Sequence, residues 1–149
     1  QLLASELRSI EDGEGHRRTI LIGDFNMNPY DQAMNLATGM NAMMTVRCVS
    51  AKGTRRQQGR DYPFFYNPMW GLLGDRTPGP AGTFYHNSGA RGIFGWNMID
   101  QVLVRPDAIA HFDNVEILTV AGTTSLATKS GRPNSSIASD HFPLVLRLK

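Results

Sequence analysis

Three features of the sequence predict an α/β fold. The apolar run Thr19 to Gly23, bounded by turn residues, reads as a strand buried on both faces. At the other end, Phe142, Leu144, Leu146 and Leu148 alternate with Pro143, Val145 and Arg147, the period of a half-buried strand. Between them strands outnumber short helices, which suits α/β or α+β packing. A length of 149 residues suits one domain with one core.

Taken in order, Leu2, Leu3, Ser5, Glu6, Leu7 and Ile10 give the apolar stripe and polar back of a short helix. An acidic turn, Glu11 to Gly15, leads into the first strand, and Asp24 to Pro29 must be a loop. Residues 30–38 suit a short helix and Asn41 to Val49 a strand. Lys52 to Arg60 is polar and basic, with four cations and no acid. Tyr62 to Pro80, rich in Pro, Gly and aromatic residues, reads as a long irregular excursion. Strands are expected at Thr83–Tyr85, Met98–Val104 and Val115–Val120. A glycine-punctuated loop, His86 to Asn97, and a flexible segment, Ala121 to Ser136, separate them. No repeat or low-complexity tract is present.

Composition narrows the function classes. Hydrophobic residues make up 41% and charged residues 19%, a globular balance. No apolar run reaches the length of a membrane-spanning helix, so no membrane segment is expected. A net charge of +2 is too slight to announce a nucleic-acid partner by itself. The single cysteine, Cys48, excludes an internal disulfide framework and a thiolate-only zinc site. It suits a reducing compartment, so a cytoplasmic location is expected. The sequence opens on Gln1 and shows no signal peptide; a trimmed start or a piece of something longer is expected.

Three polar clusters stand at strand ends. In Gly23-Asp24-Phe25-Asn26, an acid and an amide two residues apart share one side if the chain stays extended. They sit where a buried strand emerges, a place where α/β sheets hold ligands. Asp24 can orient a water or hold a cation, and Asn26 can donate to an oxyanion. A simple Asx turn accounts for the same residues. In the second cluster, Ile99-Asp100-Gln101-Val102-Leu103-Val104, alternation puts Asp100 with Val102 and Val104. A polar side chain is then buried on one face or the other, and a buried acid needs a cationic or proton-donating neighbour. An exposed edge-strand carboxylate is the alternative. The third cluster is Ser139-Asp140-His141-Phe142-Pro143. Asp140 suits a hard divalent cation, histidine as a residue type titrates near neutral pH, and Asp100 is the natural partner of the His141 imidazole. A solvated histidine flanking a strand is the plainer account.

Together and in this order, the three clusters resemble the motifs of the endonuclease/exonuclease/phosphatase superfamily, the deoxyribonuclease I-like fold. The resemblance spans residues 1 to 149 but covers only the second half of that family's domain. It implies half of a two-sheet α/β sandwich and metal-assisted hydrolysis of a phosphoester by in-line attack of water. It further implies that Asp24 positions or deprotonates the water and Asn26 holds a phosphate oxygen. His141 would contact the scissile phosphate, oriented by Asp100. Asp140 would join a glutamate around Mg2+ or Mn2+. None of Glu6, Glu11, Glu14 or Glu116 stands in the context of that glutamate, so the 149 residues alone are expected to be inactive. Many members carry Arg two residues before the Asp of the second motif. Here Met98 stands there, preceded by Trp96 and Asn97.

A half-sandwich exposes the inner face of its sheet, so the missing N-terminal half or a second copy is the expected partner. The substrate is a phosphoester, with nucleic acid and lipid both open. Lys52, Arg55, Arg56 and Arg60 can clamp a phosphate backbone with Tyr62, Phe64, Phe65 and Trp70 nearby for stacking, though a solvated basic loop explains them as well. Gly89, Gly92 and Gly95 read as loop flexibility. His16, His86 and His111 lack ligand spacing. The alternative to an enzyme is a non-catalytic interaction module whose strand-end acids serve turns.

Overall fold

The computed structural model describes residues 2–87 and 94–149 and shows a mixed α/β chain of several small sheets and few helices. Helix α1 (Leu2–Glu14) precedes β1 (Ile20–Asp24), followed by α2 (Gln32–Asn35), β2 (Ala42–Met43) and α3 (Val46–Lys52). The hairpin β3 (Thr54–Gln57) and β4 (Arg60–Pro63) leads to β5 (Phe65–Tyr66) and a 3-10 turn at Pro68–Gly71. Then come β6 (Phe84–His86), β7 (Gly95–Asn97) and β8 (Asp100–Val104), and a second 3-10 turn at Pro106–His111. β9 (Phe112–Ile117), the short pair β10 (Val120–Ala121) and β11 (Thr124–Ser125), and β12 (Leu144–Leu148) complete the chain. No helix among the described residues is long and apolar enough to cross a membrane.

The largest sheet has four strands in the order β1-β8-β5-β2, with β8 antiparallel to both neighbours. β8 organises two cores because its side chains alternate between the faces. Leu103 joins Ala4, Met34, Met40, Ala42 and Phe65, placing α1 and α2 on one face. Val102 and Val104 join Met69, Met98, Ala108 and Val115, with Leu144 and Leu146 packed against them. The antiparallel pair β9–β12 therefore lies on the other face.

A buried ion pair ties one end of this arrangement together. Arg105, directly after β8, is 2% exposed and Glu11 of α1 is 4% exposed. The guanidinium donates Nε–H to Oε1 and Nη2–H to Oε2, both at 2.9 Å, while Nη1 donates to the carbonyls of Pro63 and Phe64. Its Cζ lies over the Phe65 ring, 3.7 Å from the centroid. Burial pushes the Arg105 pKa down and the Glu11 hydrogen bond opposes that, leaving a charged, fully directed fork.

Several expectations are corrected. Glu11 belongs to helix α1, not to a turn. The buried face of α1 is Ala4 with Glu11, and Leu7 beside them, whereas Leu2, Leu3 and Ile10 are exposed. The apolar stripe gave the helix but not its orientation, which the Arg105 partnership sets. Among the described residues β1 is an edge strand paired only with β8, so Ile22 is 51% exposed and the run is not buried on both faces. Residues 41–49 are not one strand: only Ala42–Met43 pairs, and α3 begins after Thr45. Gly53, at φ 65°, ends α3 in the left-handed region that favours glycine. The helix expected over 30–38 shrinks to Gln32–Asn35. The basic stretch forms a hairpin turning at Gln58-Gly59, and the excursion after it contains β4 and β5. The strand expected at 98–104 begins at Asp100, and that at 115–120 lies at Phe112–Ile117. Segment 121–136 holds β11 and a bridge between Ala127 and Pro133. Leu148 is exposed despite the alternation because the register shifts between Arg147 and Leu148. Gly89 and Gly92 lie outside the described residues.

Truncating one partner of a buried pair strands the other charge, at a cost of about 3–5 kcal/mol. Glu11→Ala is expected to lower the free energy of unfolding in urea by that amount. The apolar double replacement Glu11→Leu/Arg105→Met should recover most of it, and equilibrium denaturation checks both.

Candidate active site

β1 and β8 pair in a register that sets Ile20 opposite Val104, Ile22 opposite Val102 and Asp24 opposite Asp100. Directly opposed residues share a face with Cβ atoms about 4.5–5.5 Å apart. The row of apolar pairs facing β12 thus ends in two carboxylates. The segment leading into β12 crosses that same end, which delivers His141.

Asp100 and His141 meet: Nδ1 lies 2.8 Å from Oδ2 of Asp100. Since an ionised carboxylate only accepts, Nδ1 carries the donated proton, and in the neutral ring Nε2 is bare. Nε2 has no hydrogen-bond partner among the described residues. The imidazole is fixed from two further sides. His141 forms an isolated bridge with Phe84, and its ring centroid lies 4.8 Å from that of Phe84. Its backbone N–H donates to the Ser139 hydroxyl at 3.1 Å. Asp100 is held in turn by its own N–H, which donates to Thr83 Oγ1 at 3.2 Å. Ile22, Gly23, Asp100, Ser139, His141, Phe142, Pro143 and Leu144 line an open cavity of about 220 Å³.

A polar network beneath the site replaces apolar packing. Asn28, which continues the turn in the sequence, is buried; it donates to Asn97 Oδ1 at 2.9 Å and accepts from Met98 N–H at 2.8 Å. Gln101, fully buried, accepts from Asn67 Nδ2 at 2.6 Å and donates to the Met27 carbonyl. The loop after β1 is thereby fastened to the start of β8. Thr83 N–H donates to the Asn97 carbonyl, and a Cβ at Gly82 would stand 2.5 Å from that same oxygen, so only glycine permits the approach.

The expected site residues divide. Asp100 and His141 are brought together, and Asp24 stands across from Asp100. Asp24 is exposed, and its Oδ1 accepts from Asn26 N–H at 2.7 Å, the geometry of an Asx turn. Asn26 adopts φ 52°, so the chain does not stay extended and the shared side expected for Asp24 and Asn26 is not realised through a strand. The Asn26 amide is exposed and makes no hydrogen bond with the described residues. Asp140 is exposed outside the cavity lining, 3.5 Å from the Ser139 hydroxyl. Asn28, Asn67, Thr83, Asn97 and Gln101 carry the positioning and were not singled out for it. Their only signal in the sequence is a run of amides beside strands, which turns explain equally well. No family model matches the chain, and neither a curated protein nor a solved structure shows similarity to it.

Thr83→Val removes the acceptor of the Asp100 N–H while keeping the shape. A loss of about 1–3 kcal/mol is expected for the orphaned donor. Asp100→Asn should leave that stability nearly intact but change the tautomer of the His141 ring, read by its nitrogen chemical shifts.

Proposed function

We propose that this chain contributes the histidine half of a metal-dependent phosphoester hydrolase, a nuclease or other phosphodiesterase, built like the superfamily its motifs resemble. The observation that carries this reading is the Asp100–His141 pair, with Asp24 opposite Asp100 in register. Asp100 holds the imidazole in one tautomer, leaving Nε2 for a phosphoryl oxygen. Asp24, through the oxygen that Asn26 N–H does not occupy, receives the proton of the attacking water. The Asn26 side-chain amide, which has no hydrogen-bond partner among the described residues, donates to a phosphate oxygen as charge gathers there. Donors set in advance of the reaction stabilise that charge without reorganising.

A divalent cation, Mg2+ or Mn2+, supplies charge neutralisation at the phosphoryl oxygens when bound. Asp140 fits part of its ligand set: an accessible carboxylate, where such ions take one or two carboxylates together with substrate oxygens. No group of three or more His, Cys, Asp or Glu among the described residues is arranged as a metal cage. The remaining carboxylate is assigned to the N-terminal half of the domain or to a second copy. The open edge of β1, with Ile22 half-exposed, supports such a neighbour and a sandwich completed by it. Half-buried Cys48, a free thiol, suits a reducing compartment such as the cytoplasm.

The test is hydrolysis of a phosphodiester reporter by the full-length protein with and without Mg2+. His141→Ala and Asp24→Ala are expected to lower kcat by about 10²–10⁴, the usual worth of a positioned proton-transfer group. The 149 residues alone should show little turnover. Absence of metal dependence together with wild-type rates in both variants would favour the interaction module instead, for which the Asx turn at Asp24 is the supporting observation.

A further inference from the structure

The end of the four-stranded sheet opposite Asp100 carries a second cavity. β8 runs from Asp100 to Val104, about 13 Å at strand rise, and β5 pairs with its far end through Tyr66. The hairpin β3–β4 feeds β5 from below that end. Between it, β2 and α3 lies a cavity of about 370 Å³ lined by Met43, Cys48, Lys52, Thr54, Arg55, Arg56 and Phe64. Three of these seven residues are cationic and none is acidic.

Little of that charge is matched by the protein. Arg56 is 3.2 Å from Asp61, its cross-strand partner, in an exposed pair. Arg55 donates Nη2–H to the Asn35 carbonyl at 2.6 Å, a neutral acceptor, and its buried Nε has no acceptor among the described residues. Lys52 is exposed and makes no side-chain hydrogen bond or ion pair with the described residues. Arg60 lies over the Tyr62 ring at 5.4 Å and Arg8 over the same ring at 5.5 Å, so two more guanidinium groups crowd the hairpin's flank. Burial first, and then Arg60, lower the Arg8 pKa, while Tyr62, Glu11 and Asp12 oppose the shift. Of the four aromatic residues expected to stack, Phe64 and Phe65 are buried, Phe65 beneath Arg105, Tyr62 carries the two guanidinium groups, and half-buried Trp70 is not part of the cavity lining. The site thus offers charge and directed donors without a stacking surface.

From this geometry we infer that the Lys52–Arg55–Arg56 cavity binds a phosphoryl group. Planar guanidinium forks with a nearby ammonium suit phosphate oxygens, and the thermodynamic gain is the pairing of Lys52 and Arg55, which have no acidic partner among the described residues, with Arg56 turning from its exposed pair with Asp61. The cavity lies apart from the Asp100–His141 site, so the inference stands or falls separately from the hydrolase reading.

The experiment titrates the 149-residue chain with three probes: inorganic phosphate, a short DNA duplex, and phosphatidylcholine vesicles doped with a phosphoinositide. Lys52→Gln/Arg56→Gln alters two exposed side chains, and Lys129→Gln/Lys149→Gln serves as a charge-matched control elsewhere. The hairpin double variant is expected to bind at least one probe about tenfold more weakly, with the charge-matched control unchanged. Binding of the duplex alone, with a shallower salt dependence in the hairpin variant, identifies a nucleic-acid backbone. Binding of vesicles alone identifies a lipid headgroup, and competition by inorganic phosphate in either arm confirms the shared chemistry. The inference is overturned if wild type binds none of the probes, if the hairpin variant binds like wild type, or if both double variants weaken equally.

Discussion

Enclosing Arg105 and Glu11 together forces helix α1, the exit of β8 and the β4–β5 junction to meet at one place, because the guanidinium donates through Nε and Nη2 to Glu11 and through Nη1 to the carbonyls of Pro63 and Phe64. Ninety-four residues separate the two charges, so neither is tolerable in the interior until the chain has closed. The pair also fixes the rotation of α1: Glu11 must face inward, Ala4 follows on the same side, and Leu3 and Ile10 turn to solvent. A helix placed by a salt bridge rather than by its apolar stripe is the source of several departures from the simple amphipathic reading.

The other end of β8 is governed by amides and hydroxyls. Asn28, Asn67, Asn97, Gln101 and Thr83 are buried, and each has a partner for the groups it turns inward. Such networks are costly if half-satisfied and rigid if complete. Their effect is to hold the two strand ends bearing Asp24 and Asp100 in a fixed relation, with Phe84 and Thr83 fastening the approach of His141. The aromatic series Tyr85, Trp96 and Phe142 continues this support: Trp96 stacks on Phe142 at 6.2 Å, directly beside His141 in sequence. Rigid scaffolding of this kind gives a short polar pair its defined geometry.

Legibility in the sequence followed the range of the interaction. The strand at Thr19–Gly23, the polar loop after it, the strand containing Val102–Val104 and the closing alternation are short-range patterns, and all have counterparts in the structure. The meeting of Asp100 with a proton donor was readable because an acid among valines requires one. The edge position of β1 was not, since a continuous apolar run looks alike at the centre or the rim of a sheet. Helix α3 was hidden by Val46 and Val49, β-branched residues that favour strands, although Thr45 and Gly53 mark its ends. The Glu11–Arg105 pair and the Asn28–Asn97 contact left no local trace, being fixed only when distant segments dock.

His141 reaches Asp100 from forty-one residues further along the chain, by way of a single bridge to Phe84 and the strand that pairs with β9. During vectorial synthesis the main sheet can therefore be assembled while its imidazole is still inside the ribosome. The carboxylate waits at the sheet's rim, and the last strand to dock also supplies the group that completes it. Until His141 emerges, Asp100 is a carboxylate without its imidazole partner.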